Sequence, residues 1–511
     1  MRQRHLVSSV LLLTLVLCQC ATPSAANKVR QAGVAGSFYP SNPDELKSMV
    51  DGFLAKAQVA PTSDPLLALV APHAGYPYSG SVAAFSYAAL KGRQYSRVVI
   101  IAPSHYEAFP FSAVYDGDAY VTPLGSVPVD KTFAEKLAKE NKHLIQLSSR
   151  GHEKSGQQAE HSLEVQLPFL QRTLSRFQIV PIIMGEQSYE ASRALGVALA
   201  KLIGTSDTLI VASSDLSHYH PYEEANRIDH NTVGAIAVWD YFDLSRNLES
   251  RVWEACGGGP IVAAMIAAER LGANRAALLK YANSGDITGD RSRVVGYSAF
   301  ALYKSAPGPV VSPTFSLTTK EKQELLNVAR AAAETAVRER KQYTPSVSSP
   351  TLMQDRGAFV TITEKGNLRG CIGYIGPMEP LVNTVRDVAG YAALRDPRFP
   401  PVTATELGQL HYEVSVLSPL RRVLDVKEIQ VGKHGLLMRQ GDREGVLLPQ
   451  VPVEEGWDRK TFLEQTARKA GLPPSAWKDE DTDIFLFTAV VFGEPNLPNT
   501  TPESVVPPKR P

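Results

Sequence analysis

Between residues 28 and 304 the chain alternates short apolar runs with longer amphipathic stretches. Leu66–Ala71, Val98–Ala102, Ile179–Met184 and Leu209–Ala212 are nearly continuous hydrophobic runs of strand length. Segments such as Tyr189–Ile203 separate them and carry helical periodicity. Strands alternating with helix-length segments predict an α/β domain, its sheet covered by helices on both faces. Residues 305–317 (SAPGPVVSPTFSL) contain three prolines and no charge, the composition of a linker. Thr318 and Glu321 then stand at capping-box spacing, predicting the start of an Ala/Leu-rich helix that reaches about Arg340. Strand-like runs at Ala358–Thr363, Tyr412–Leu417 and Ile484–Phe492, mixed with helices, predict a smaller α+β domain over residues 318–494. The proline-rich tail 495–511 is expected to be disordered.

The first 26 residues depart from this pattern. Arg2 and Arg4 precede an uncharged apolar stretch, Val7–Leu17, and small residues follow through Ala26. That order is the one of a secretory signal peptide, with cleavage expected after Ala26. The protein is therefore expected to be exported, to the periplasm or the extracellular space. Retention of the segment as an N-terminal anchor, or lipidation at Cys18 or Cys20, would leave it attached to a membrane. After cleavage only Cys256 and Cys371 remain, too few for a disulfide framework.

Formal net charge is +1, from 53 basic and 52 acidic residues, and no basic run is interleaved with aromatics. Nucleic acid is therefore not an expected partner. The chemistry is concentrated elsewhere: eight of the eleven histidines lie between His73 and His230. Three apolar runs lead directly into polar turns, at Ala71-Pro72-His73, Ala102-Pro103-Ser104-His105 and Ser213-Ser214-Asp215-Leu216-Ser217-His218. In an open α/β sheet the carboxyl ends of strands form the ligand crevice, so these side chains are expected to converge. Imidazole is a common metal ligand, and a nearby carboxylate such as Asp215 can fix its tautomer. Cys256 precedes three glycines and an apolar helix, and as a thiolate it would complete a two-His, one-Cys set. Such a set favours zinc, copper or iron over magnesium or calcium. Glu160-His161-Ser162-Leu163-Glu164 opens a helical stretch that could aim His161 or Glu164 at the pocket. Ser284–Asp290 reads as an ordinary turn.

Ala35–Pro40, Ala71–Tyr76, Pro103–His105, Glu160–Glu164, Ser213–His218 and Cys256-Gly257 together resemble the MEMO family across residues 30–304, in the expected order. That family is similar in fold to class III extradiol dioxygenases, which are non-haem iron enzymes. The resemblance implies that His73, His105 and Cys256 are metal ligands and that His218, with Asp215 beside it, serves acid–base catalysis. It makes iron the expected metal, with copper or zinc as alternatives. It implies a dioxygenase-like oxidoreductase acting on a small aromatic or polar substrate. A thiol stands where the dioxygenases carry a carboxylate, so a non-catalytic binding module or a copper or iron carrier is the competing expectation.

In the second domain, Ala358–Thr363, Lys365-Gly366-Asn367 and Leu368-Arg369-Gly370-Cys371-Ile372-Gly373 read as a β-hairpin whose second strand carries glycines. With Glu413–Pro419, Leu447–Pro452 and Trp457, this hairpin resembles the AMMECR-type domain over about residues 320–494. Arg369 and Cys371 are its candidate site residues. The two families also occur beside a radical S-adenosylmethionine protein, in the AmmeMemoRadiSam system, so the resemblance implies a functional link to such a partner.

Overall fold

The structure is a computed structural model, and it describes residues 28–155, 158–306, 315–347, 349–376 and 379–494. The expected signal peptide 1–26, most of the expected linker and the tail 495–511 lie outside the described residues.

Among the described residues, nine strands build the large sheet of the first domain. Its centre is four parallel strands in the order Leu66–Ala71, Thr208–Ser213, Arg97–Pro103, Gln178–Met184. Antiparallel neighbours flank them: Val294–Tyr303 on one side, itself paired with Arg275–Asn283 and His218–His220, and Ser112–Val114 on the other. Ile145–Leu147 closes the far edge, parallel to Ser112–Val114. The central strands are apolar throughout because both their faces are covered. Residues alternate between the faces as strand geometry requires. Val70, Val99, Ile101, Val180, Ile182 and Ile210 pack with the helices Tyr189–Ile203 and Gly258–Arg270. Leu69, Val98, Ile100, Ile179, Leu209 and Val211 pack with Pro43–Lys56, Tyr76–Ala88 and Leu167–Thr173. The expected α/β sheet with helices on both faces is the observed one.

The capping box of the second domain is present, with Thr318 and Glu321 satisfying each other's backbone N–H groups ahead of the helix Thr319–Glu339. This helix and Leu381–Leu394 cover an antiparallel sheet ordered Asn367–Tyr374, Ala358–Glu364, Leu410–Leu417, Ala489–Gly493. A second antiparallel sheet follows the order Arg421–Arg422, Asp483–Phe487, Gly435–Gln440, Arg443–Leu447. One expectation is corrected here. The run Ile484–Phe492 is not one strand but the ends of two, one in each sheet. The break falls at Thr488, which exchanges hydrogen bonds with Ser418: Thr488 N–H to Ser418 Oγ at 2.9 Å, and Ser418 N–H to the Thr488 carbonyl at 2.9 Å.

The two domains share a core. Leu417, Leu420, Leu437, Phe485 and Phe487 of the second domain bury against Tyr189, Tyr241 and Phe242 of the first. Buried Asp483 accepts from Tyr189 Oη at 3.0 Å and Arg193 Nε at 2.5 Å, with Arg422 Nε at 3.3 Å. Among the described residues, no helix is long and apolar enough to cross a membrane.

Candidate metal centre

Parallel strands end at one edge of a sheet, and that is what assembles the site. The strands leading to His73 and His105 flank the strand that leads to Asp215. Asp215 reaches sideways, its Oδ1 accepting the His73 N–H at 2.7 Å and the Ala74 N–H at 3.3 Å. Its own N–H points at Cys256 Sγ at 3.3 Å, and its carbonyl accepts the Cys256 N–H at 3.3 Å. Cys256 Sγ lies 3.1 Å from His73 Nε2. One ligand atom each from His73, His105 and Cys256 falls within 4.8 Å of the others.

Gly257 makes this approach sterically feasible. A Cβ at that position would sit 2.1 Å from the Ser213 carbonyl oxygen and 2.7 Å from Ser214 Cβ. Only without one can the cysteine loop lie against the strand end.

Both imidazoles have a defined tautomer. The Glu160 carboxylate accepts the His105 N–H at 2.6 Å, and its Oε1 also takes the His161 and Ser162 N–H groups, each at 3.0 Å. Burial pushes the Glu160 carboxyl up, but its hydrogen bonds to the imidazole and backbone N–H of His105 outweigh it and hold it at about 2. An ionised carboxylate has no proton to give, so the 2.9 Å contact with His105 Nδ1 is donated by the imidazole. At His73 the same role falls to a serine. Ser213 Oγ donates its single proton to the Ser162 carbonyl at 2.6 Å, and accepts from Gln166 Nε2 at 2.7 Å. Gln166 is oriented in turn by the Pro72 carbonyl, which can only accept, and by the Tyr87 hydroxyl. The remaining lone pair of Ser213 Oγ therefore accepts His73 Nδ1–H at 2.9 Å. Both Nε2 atoms are left bare, as metal ligation demands.

Protonation is suppressed at His73 chiefly by its burial. His161 is pulled down to about 3 by burial and by His73 and His105. Its ring stacks on His105, centroids 4.6 Å apart, and its buried Nδ1 has no hydrogen-bond partner among the described residues. His105, Glu160 and His161 form a second group with metal-ligand spacing. Burial and the neighbouring Asp215 carboxylate push the Cys256 thiol up, so the free site holds a thiol and ligation would release its proton.

His218 and Cys256 line a cavity of about 290 Å3, together with Leu216, Leu248, Arg251 and Trp253. Tyr219 beside His218 has φ of 64°, a left-handed conformation costly for an aromatic residue. Glu164 goes elsewhere. It is fully buried, ion-paired with Arg30, and accepts from the Tyr39 hydroxyl and from the N–H groups of Gly33 at 2.8 Å and Val34 at 3.1 Å. Every lone pair it could offer a ligand is directed at the N-terminal segment. Glu160, Ser213 and Gln166 were not expected to be site residues. For Glu160 the pattern offered a hint, a carboxylate directly beside His161; for the two neutral residues it offered none. Ser284–Thr288 is a short helix capped by Asn283.

Arg369 and Cys371 lie on the strand Asn367–Tyr374, and neither joins the His73 cluster. Arg369 pairs with Glu406 at 2.8 Å and donates to the Pro400 carbonyl at 2.8 Å. The Cys371 thiol accepts from Thr361 Oγ1 at 3.3 Å, and burial raises it. The glycines around it serve packing: a Cβ on Gly370 would come within 2.2 Å of the Ala392 carbonyl oxygen.

A family model described as Memo-like protein matches residues 30–301, more than half of the chain. The chain belongs to the Memo-like family. Its Memo-like domain contains the entire His73 cluster, and an AMMECR1 domain follows, matched over residues 326–492. A MEMO1 family protein of Methanocaldococcus jannaschii is 39% identical over 291 residues, covering 53% of this chain and 98% of the relative. One from Methanosarcina mazei is 39% identical over 282 residues, covering 54% and 99%. Among solved structures, an uncharacterized protein of Pyrococcus horikoshii is 41% identical, over 35% of this chain and 93% of that one, with a TM-score of 0.34.

Proposed function

We propose that this is an exported metal-dependent protein whose Memo-like domain acts as a non-haem oxidoreductase of extradiol dioxygenase type on a small aromatic or polar molecule. The observation that carries the reading is the convergence of one ligand atom each from His73, His105 and Cys256, with both imidazoles held in the ligating tautomer. These donors suit a soft or borderline metal, and likeness to the dioxygenases favours iron over copper or zinc. The metal, when bound, supplies Lewis-acid or redox chemistry. The chain's own part is to orient and to move protons. Glu160 and Ser213 aim the imidazoles, Leu216 and Leu248 give the cavity an apolar wall, and His218 exchanges a proton with the molecule bound there.

Cys256 itself favours a second reading, a copper or iron carrier without turnover, because a thiolate is a softer and more oxidisable ligand than a carboxylate. Metal analysis of protein purified from its native compartment separates these readings from a metal-free binding module. Stoichiometric metal that disappears in His105→Ala supports a metal centre; a folded, metal-free wild-type protein overturns it. Oxygen uptake with a panel of catechols then divides enzyme from carrier. Export is tested by the mature N-terminus, expected near Asn27. The link to a radical S-adenosylmethionine protein is tested by co-purification.

A further inference from the structure

The AMMECR1 domain reaches the wall of the His218–Cys256 cavity through one helix of the Memo-like domain. That helix, Tyr222–Ala237, sends polar contacts from Asp229, Asn231 and Thr232 to three different places. Asp229 Oδ1 accepts the Ser217 N–H at 2.9 Å, one residue before His218. Thr232 Oγ1 donates to the Glu254 carbonyl at 3.3 Å, in the loop that ends at Cys256. Between them, Asn231 Nδ2 donates at 2.7 Å to Oδ2 of Asp355, which belongs to the second domain. The indole N–H of Trp253 is buried with no hydrogen-bond partner among the described residues and stands near the same Asp355 carboxylate, where Arg227 adds positive charge. Trp253 and Glu254 line the cavity with His218 and Cys256.

The next helix, Tyr241–Glu249, is held from the same side. Its N-cap, Asp240, accepts the Leu420 N–H of the second domain at 3.0 Å. Gly376 lies so close that a Cβ there would approach Asp243 Oδ1 to 2.8 Å. This helix runs directly into Leu248 and Arg251 of the cavity wall. The start of the wall segment thus leans on second-domain residues, while its end at Cys256 is bonded to Asp215 at the strand edge.

We propose that Asp355 is a positioning residue for the cavity: through Asn231 and Trp253 the second domain holds the loop 250–256 in the place that sets Cys256 against His73. A carboxylate in a half-buried interface makes a charge-assisted bond to the Asn231 amide, beside an indole N–H with no other partner, that a loop of this kind cannot replace from within itself. The fusion then has a local physical purpose, since the Memo-like site is finished by the domain that follows it.

The test uses the full-length, metal-free chain, so it does not depend on which metal binds or whether one does. Alkylation of Cys256 by iodoacetamide is followed by peptide mass spectrometry, with Cys371 of the second domain as internal control. Asp355→Ala is expected to alkylate at Cys256 several-fold faster than wild type while Cys371 is unchanged. Asn231→Ala, which removes the other half of the bond, is expected to do the same. Asp355→Asn keeps an oxygen that can accept from Asn231 and is expected to stay near the wild-type rate. Should Asp355→Ala fail to fold, Asn231→Ala decides. Wild-type alkylation in folded Asn231→Ala, or equal acceleration at Cys256 and Cys371, overturns the proposal.

Discussion

His73 and Cys256, 183 residues apart in the chain, meet with Nε2 and Sγ separated by 3.1 Å. The imidazole is turned toward the sulfur by Ser213, whose hydroxyl has one lone pair left for Nδ1–H after its other bonds are made. Ser213→Ala removes that acceptor without opening a large cavity. Metal affinity is expected to fall about 10–100-fold, the usual effect of losing an outer partner of a ligating histidine. Competition with a chromophoric zinc chelator measures it. An unchanged affinity would mean that the hydroxyl does not set the tautomer.

The two glutamates of Glu160-His161-Ser162-Leu163-Glu164 are expected to separate cleanly by phenotype. Glu160→Gln replaces the ionised acceptor of His105 Nδ1 and should weaken metal binding about 10–100-fold with little change in folding. Glu164→Gln leaves the buried Arg30 guanidinium without its counter-charge and should cost about 3–5 kcal/mol of stability. Its folded fraction should bind metal normally. Urea unfolding beside metal titration distinguishes the two, and a reversed pattern would exchange the roles assigned here.

Gly257→Ala places a methyl group 2.1 Å from the Ser213 carbonyl oxygen. The cysteine loop must retreat from the strand end, carrying Sγ away from His73. The expected cost is about 1–3 kcal/mol in stability, as for other overpacked sites, together with loss of the thiolate-to-metal charge-transfer band in the cobalt-loaded protein. Retention of that band would show that the loop can relax without moving Cys256.

Much of this site was legible because the central strands are buried on both faces and so read as unbroken apolar runs. Once Leu66–Ala71, Arg97–Pro103 and Thr208–Ser213 lie parallel, His73, His105 and Asp215 must share an edge. What the pattern could not carry is direction. Glu160 and Glu164 both flank His161, and only the packing of Arg30 and Tyr39 shows which one turns inward. Ser213 and Gln166 act through neutral hydrogen bonds that leave no periodic trace. Ile484–Phe492 is apolar but for Thr488, and its division between two sheets at that residue depends on Ser418, some 70 residues earlier. The contact between domains was likewise invisible, since Asp355 and Asn231 look like ordinary surface residues.

The shared core also carries a pH dependence. Glu269, at the end of the helix Gly258–Arg270, is buried against Tyr241, whose hydroxyl donates to it at 2.9 Å, and faces Arg422 at 3.8 Å, with Arg270 and Asp483 nearby. Burial pushes its carboxyl up to about 7, although Arg422, the Tyr241 hydrogen bond and Arg270 pull it down. The folded protein therefore keeps this proton where the unfolded chain, near the ordinary 4.5, has lost it. The stability it contributes is complete below that ordinary value and is lost as pH rises through about 7. The loss is on the order of 3 kcal/mol, from about 1.4 kcal/mol for each pH unit between the two values. Glu269→Gln keeps the Tyr241 contact and cannot ionise, so its stability should fall less between pH 5 and pH 8 than that of the wild type. Urea unfolding across that range gives the difference directly, and parallel curves for the two proteins would mean that Arg422 keeps Glu269 ionised throughout.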